Sequence, residues 1–172
     1  MIHRKMFIIS LLFGLFILGL DICTKYWVQA HIPLVDWQTS YPYDGIGVFK
    51  DFFGVEFSIV HVTNHGAAWG TLEDYQIPLV LLRIVLIIGM AIYLLRYNHR
   101  RSWVFPLTLI LFGAIGNVVD YFIYGKVIDM FYFVLWGYRY PVFNIADSAV
   151  TLGVLWIVFI APFFEKTLQT SE

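Results

Sequence analysis

Four stretches of this chain, at about 6–28, 77–95, 103–124 and 143–164, are apolar over a length close to the roughly 20 residues that a helix needs to cross a bilayer. The whole chain agrees: it is 60% hydrophobic and 13% charged, against roughly 45–50% and about 25% for a soluble domain. The expected fold is therefore an α-helical membrane protein, a single integral membrane domain over residues 1–172 with four transmembrane helices. The basic start (Arg4, Lys5), the apolar run to Leu20 and the small Ala30 have the outline of a signal peptide. Asp21, Lys25 and Trp27 fall where its cleavage region should lie, so the first run is expected to be retained as a span.

Between the first two runs lies a different kind of sequence, about 31–76, which carries six of the twelve acids with Pro, Gly and many aromatics and is too polar to span. Val48 to Phe53 and Val55 to Val62 surround Gly54, and Val55, Phe57 and Ile59 alternate with Glu56 and Ser58, which predicts two short strands. A small β-rich platform on the outer membrane surface is expected. Trp37, Tyr41, Tyr43, Phe52, Phe53 and Trp69 suit the headgroup level, where an amphipathic ring keeps one end dry.

Charge orients the spans. The connection after the second run holds Arg96, Asn98, His99, Arg100 and Arg101, and short basic connections stay on the cytoplasmic side. Arg4, Lys5 and Lys166 then fall on that same side, while Lys50, Lys126 and Arg139 fall on the other. Both termini are expected inside, with the 31–76 insert and an aromatic connection from Gly125 to Asn144 outside. Arg83 sits inside the second run, where a lone charge costs at least about 2.5–3.5 kcal/mol, so it should face a carboxylate or water within the bundle.

Against this apolar background the stretch from Gly113 to Asp147 concentrates acids and amides: Gly113, Gly116, Asn117 and Asp120 at three- and four-residue steps, then Asp129, then Asn144 and Asp147. A carboxylate buried there must be paired, hydrogen-bonded or neutralised. Several have structural accounts. Gly113 and Gly116 allow close helix packing, and Asn144 and Asp147 stand at N-cap and third-helical spacing. Asp21 and Lys25, four apart, form an ion pair or simply end the first span. Asn64, in the Thr63 to Gly70 loop with Gly66, offers an amide or merely forms a turn. Packing does not account for Asp120, nor capping for Asp129 at the same depth as Asp147. His61 and His65 lack a third spaced metal ligand and read as solvated loop histidines.

The net charge of −1 argues against nucleic acid as a partner. Cys23 alone can form neither an internal disulfide nor a thiolate cluster.

Five segments in chain order resemble the lipoprotein signal peptidase (signal peptidase II) family. They are Asp21 with Lys25, Asn64-His65-Gly66-Ala67-Ala68-Trp69, Gly116-Asn117-Val118-Val119-Asp120, Val127-Ile128-Asp129, and Phe143-Asn144-Ile145-Ala146-Asp147-Ser148. The resemblance implies an aspartic endopeptidase of the bacterial cytoplasmic membrane with Asp129 and Asp147 as its catalytic pair. Its substrate would be a diacylglyceryl-modified prolipoprotein, cut just before the lipidated Cys at the outer face. Asn64, Gly66, Asn117 and Asn144 would support the carboxylates or substrate, and Asp120, Asp21 and Lys25 would brace the helices. Membrane lipid is the other expected partner and a monomer the expected state. Many members carry Arg after the acid at Asp120, where this chain has Tyr121, so Lys25 or Arg83 is expected to supply the positive charge.

Two carboxylates a few ångströms apart cannot both ionise easily, so one should hold a proton while the other activates water. Asp147, near a helix N-terminus, is expected to be the ionised partner and Asp129 the acid. Such a dyad needs no metal or organic cofactor. The rival readings are a small transporter or proton-conducting channel, which buried acids also mark, and a structural assembly subunit.

Overall fold

A computed structural model describes residues 2–64 and 76–163. In chain order the elements are α1 (Ile2–His31), β1 (Ile46–Phe52), β2 (Val55–Asn64), α2 (Gln76–Ile92), α3 (Arg101–Tyr124), β3 (Val127–Leu135), β4 (Tyr138–Arg139) and α4 (Ile145–Leu155). A π-helical turn follows α2 at Tyr93–Tyr97 and another follows α4 at Trp156–Ile160. Four helical stretches are long and apolar enough to cross a membrane: Arg4–His31, Gln76–Tyr97, Arg101–Tyr124 and Ile145–Phe163. The chain forms two compact units. One comprises Met1–Leu20, Leu81–Val118 and Ile145–Glu172, the other Asp21–Val80 and Val119–Asn144.

The helical unit is held by aromatic contacts and by glycines that remove side-chain volume where helices meet. A Cβ on Gly113 would stand 2.5 Å from the Ala146 carbonyl oxygen, and one on Gly153 would stand 2.7 Å from that of Pro106. Only hydrogen at both positions lets α3 and α4 approach this closely, the expected use of small residues where lipid gives no hydrophobic drive between helices. Phe13 packs on Phe105 and Phe105 on Trp156 at centroid distances of 5.4 and 5.3 Å. Leu12, Leu82, Val85 and Leu86 are exposed, as lipid-facing side chains should be.

The second unit is a four-stranded antiparallel sheet in the order β1-β2-β3-β4. Both tight hairpins have two-residue turns ending in glycine. Phe53 and Gly54 have φ of 53° and 80°, and Trp136 and Gly137 have 49° and 85°. Two consecutive positive φ values match the right-handed twist of the flanking strands. One buried cluster joins Val28 and Ile32 at the end of α1 to Ile128 and Met130 of β3, and another joins Tyr43, Val60 and Tyr132.

Three expectations change here. The Gly125 to Asn144 connection is mostly sheet: β3, at nine residues, is a central strand, so Asp129 lies on a strand and not in a loop. The polar side of β2 is the more buried one, because Ser58 and Val60 face Tyr132 and Tyr43 while Glu56 accepts a hydrogen bond from the Tyr43 hydroxyl at 3.2 Å. Tyr43 therefore packs in the sheet core, unlike Phe52 and Phe53, which are exposed; Trp69 lies outside the described residues. His61 is a buried strand residue, 6% exposed, with Nδ1 2.9 Å from the Ile32 carbonyl oxygen. A break in the β2–β3 register between Ile59 and Val62 turns it inward.

Candidate active site

α3 ends where Gly125 takes a left-handed φ of 70° and its N–H reaches the Tyr121 carbonyl at 2.9 Å. Gln76 at the start of α2 donates its side-chain amide to the Gly125 carbonyl at 2.6 Å. β3 begins two residues later, and its third residue is Asp129, which is 3% exposed.

Two amides converge on this carboxylate. Asn144 Nδ2 donates to Asp129 Oδ1 at 2.7 Å, and Asn64 Nδ2 to Oδ2 at 3.4 Å. Asn64 is delivered by β2, whose last residue pairs with Val127. Asn144 is delivered by a bridge that sequence patterning does not reveal. Phe143 pairs with Phe131 as a one-residue strand, its carbonyl accepting the Phe131 and Met130 N–H groups at 2.8 and 3.1 Å. The following residue, Asn144, is thereby fixed beside Asp129, and its amide also reaches the Ile128 carbonyl at 3.3 Å.

Beneath Asp129 sits a buried charge cluster. Lys25 Nζ lies 2.7 Å from Asp21 Oδ2 and 2.8 Å from Asp120 Oδ2, with these side chains at most 2% exposed. Lys25 thus gives Asp120 a cation in a chain whose next residue is Tyr121. Asp120 Oδ2 also accepts the N–H of Ile128 at 3.2 Å, the residue that precedes Asp129. One carboxylate therefore ties α1, through Lys25, to the backbone of Ile128, the second residue of β3.

In the helical unit, α4 starts at Ile145, so Asn144 precedes the helix and Asp147 is its third residue. Asn117 Nδ2 donates to Asp147 Oδ1 at 2.8 Å. Asn117 stands one turn beyond Gly113 on α3, so the glycine contact with Ala146 and Val150 sets the approach that makes this hydrogen bond. Asp129 thus accepts one amide on each oxygen and Asp147 one amide on Oδ1, and Asp147 is half-buried. Gly66 lies outside the described residues. Among the described residues no three His, Cys, Asp or Glu side chains group as metal ligands. The chemistry offered is that of two hydrogen-bonded carboxylates.

Residues 13–163 match the family model described as signal peptidase (SPase) II. The chain is 37% identical over 136 residues to a lipoprotein signal peptidase of Chlamydia trachomatis serovar D, covering 77% of this chain and 81% of that one. It is 32% identical over 152 residues to the lipoprotein signal peptidase of Geobacillus kaustophilus, covering 86% and 97%. A bacterial membrane enzyme solved by the in meso method at 2.3 Å superposes with a TM-score of 0.73 at 28% identity, over 92% of this chain and 88% of that one. With the family model matching most of its length, this chain belongs to the signal peptidase II family.

Proposed function

We propose that this protein removes the signal peptide from a diacylglyceryl-modified prolipoprotein, cutting before the lipidated Cys, with Asp129 and Asp147 as an aspartic dyad. The observation that carries the proposal is the short covalent link between the two amide-held acids. Asn144 is hydrogen-bonded to Asp129 and lies only three residues before Asp147. In this reading the pair shares one proton. Asp147, in the first turn of α4 where the helix dipole favours negative charge, draws a proton from water, while Asp129 donates one toward the scissile carbonyl or leaving amine. Asn64, Asn117 and Asn144 hold the carboxylates in place for this exchange.

Binding in the bilayer confines the substrate to the membrane surface, which replaces a three-dimensional search with a positioned encounter. We place the dyad at the outer face, with both termini inside, in accord with the basic Arg96 to Arg101 connection.

The test is incubation of the purified protein in detergent with a diacylated prolipoprotein, followed by mass measurement of both fragments. Cleavage before the lipidated Cys is expected. Asp129→Asn and Asp147→Asn should each abolish it in protein that still inserts. Processing by either variant at the parental rate would remove that residue from the dyad.

A further inference from the structure

At the end of the bundle where α2 turns into α3 lies a charged surface that the proposed chemistry does not use. From Gln76 to Val119 the chain carries four arginines and no acid. Three of them, Arg96, Arg100 and Arg101, fall close together in sequence and are exposed. The π-helical turn at Tyr93–Tyr97 ends this helix, and Asn98 closes it by returning its N–H to the Tyr93 carbonyl at 2.8 Å. The Asn98 side-chain oxygen then accepts the Arg100 N–H at 3.1 Å, a local turn that folds the connection tightly between the first arginine and the second. Arg100 lies over the Trp103 ring at 5.0 Å, so the flat face of the guanidinium rests on an indole while its N–H donors stay at the edge, in the plane of the group. Arg101 opens α3, whose first turn holds no acid, and a cation there opposes the helix dipole. The charges and the dipole all favour an anion.

Next to the arginines runs an apolar stripe. Val85, Ile88 and Ile92 follow one another on α2 at three- and four-residue steps and are exposed, and Arg96 comes one turn later. One face of the helix thus leads from side chains made for hydrocarbon directly to a cation. That is the layout of a phospholipid, with acyl chains beside the helix and phosphate at its end. A soluble anion would match the arginines and have no use for the stripe. We propose that this connection is a binding site for an anionic phospholipid, whose phosphate is held by Arg96, Arg100 and Arg101 and whose chains lie along Val85, Ile88 and Ile92. Arginine fits the role because its planar fork meets two phosphate oxygens at once. A choline headgroup adds a cation that three arginines repel, so the site selects a headgroup such as phosphatidylglycerol, which keeps its negative charge.

The test uses full-length protein in neutral detergent and native mass spectrometry, with phosphatidylglycerol and phosphatidylcholine of identical acyl chains at equal concentration. Parental protein should hold phosphatidylglycerol at least about tenfold more tightly, since each arginine near an anionic headgroup contributes roughly fivefold. Replacing Arg96, Arg100 and Arg101 together by Gln should abolish the preference. Arg96→Gln alone and Arg100→Gln alone should each reduce it in part, and they keep the test decisive if the triple variant does not insert. Arg4→Gln with Lys5→Gln removes charge elsewhere and should leave it unchanged. Glycerol phosphate, a headgroup without chains, should fail to displace the lipid when added in excess. Equal retention of the two lipids by parental protein, or an unchanged preference in both single variants, would overturn the site. So would a loss of the same size in the Arg4 and Lys5 variant, which would make the effect one of overall charge, or displacement by glycerol phosphate, which would make a soluble phosphate the ligand.

Discussion

Replacing Lys25 by Met tests whether the buried charge cluster beneath Asp129 is one electrostatic unit. Lys25 is the cation between two buried carboxylates, 2.7 Å from Asp21 and 2.8 Å from Asp120. Removing it leaves two like charges desolvated, and breaking a buried pair in this way costs about 3–5 kcal/mol. In a protein of this size that lowers the unfolding midpoint on the order of 10 °C. Asp120→Asn should be much milder, about 1.5–3 kcal/mol, because Lys25 keeps Asp21 and an amide oxygen can still accept the Ile128 N–H. The decisive variant is Lys25→Met with Asp21→Leu and Asp120→Asn, which contains no charge at the site. It should be more stable than Lys25→Met alone, since an apolar replacement of a buried ion cluster is often neutral. Thermal unfolding in one detergent, followed by helical circular dichroism, gives the order. A Lys25→Met protein that melts with the parent, or a triple variant that melts below it, would refute the reasoning.

Four shorter tests follow from other contacts. Gly113→Val should push α3 from α4, since even a Cβ there would meet the Ala146 carbonyl oxygen at 2.5 Å; activity should fall sharply, as overpacking costs about 1–3 kcal/mol and displaces the Asn117–Asp147 hydrogen bond. Asn144→Ala removes the 2.7 Å donor to Asp129, and kcat should drop by at least tenfold with the protein folded, whereas Asn144→Asp places a second carboxylate there and should be worse. Tyr43→Phe deletes the hydroxyl that bonds Glu56 at 3.2 Å, and denaturant midpoints should report a loss of about 1 kcal/mol. Burial first and the Glu56 charge second raise the Tyr43 phenol above its usual value, and burial raises that of Tyr132. Folded protein therefore holds these protons where the unfolded chain has begun to lose them, so stability should decline as pH rises past about 10. Tyr43→Phe with Tyr132→Phe should flatten that alkaline decline in a melting series, and an unchanged slope would remove these phenols as its cause.

The spans were legible because hydrocarbon imposes a length and a composition that no local interaction can override. The first hairpin was legible too, since Gly54 between two β-rich runs is a turn signal with a backbone cause. β3 was hidden for the opposite reason. Its Val127 to Leu135 run is apolar or aromatic on both faces apart from Asp129, so it lacks the alternation that marks a half-buried strand, and between two spans it reads as a connection. The bulge in β2 had a similar effect on His61, because one extra residue reverses which side chains point inward and no spacing in the sequence records it.

The acids and amides stood out from their rarity in an oily chain, but rarity cannot say which of them touch. Lys25 and Asp120 meet across 95 positions of chain, a pairing that sequence spacing leaves open between Lys25 and Arg83. The same limit applies to Asn144. Its spacing to Asp147 fits a helix cap, and only the Phe143 bridge to β3 turns its amide onto Asp129. A helix cap works through the amide oxygen as acceptor, so giving the Asn144 N–H donor to Asp129 takes nothing from the start of α4. One side chain can therefore serve the helix start with its oxygen and Asp129 with its nitrogen, and the second use has a clear purpose if Asp129 must be held ready to give up a proton.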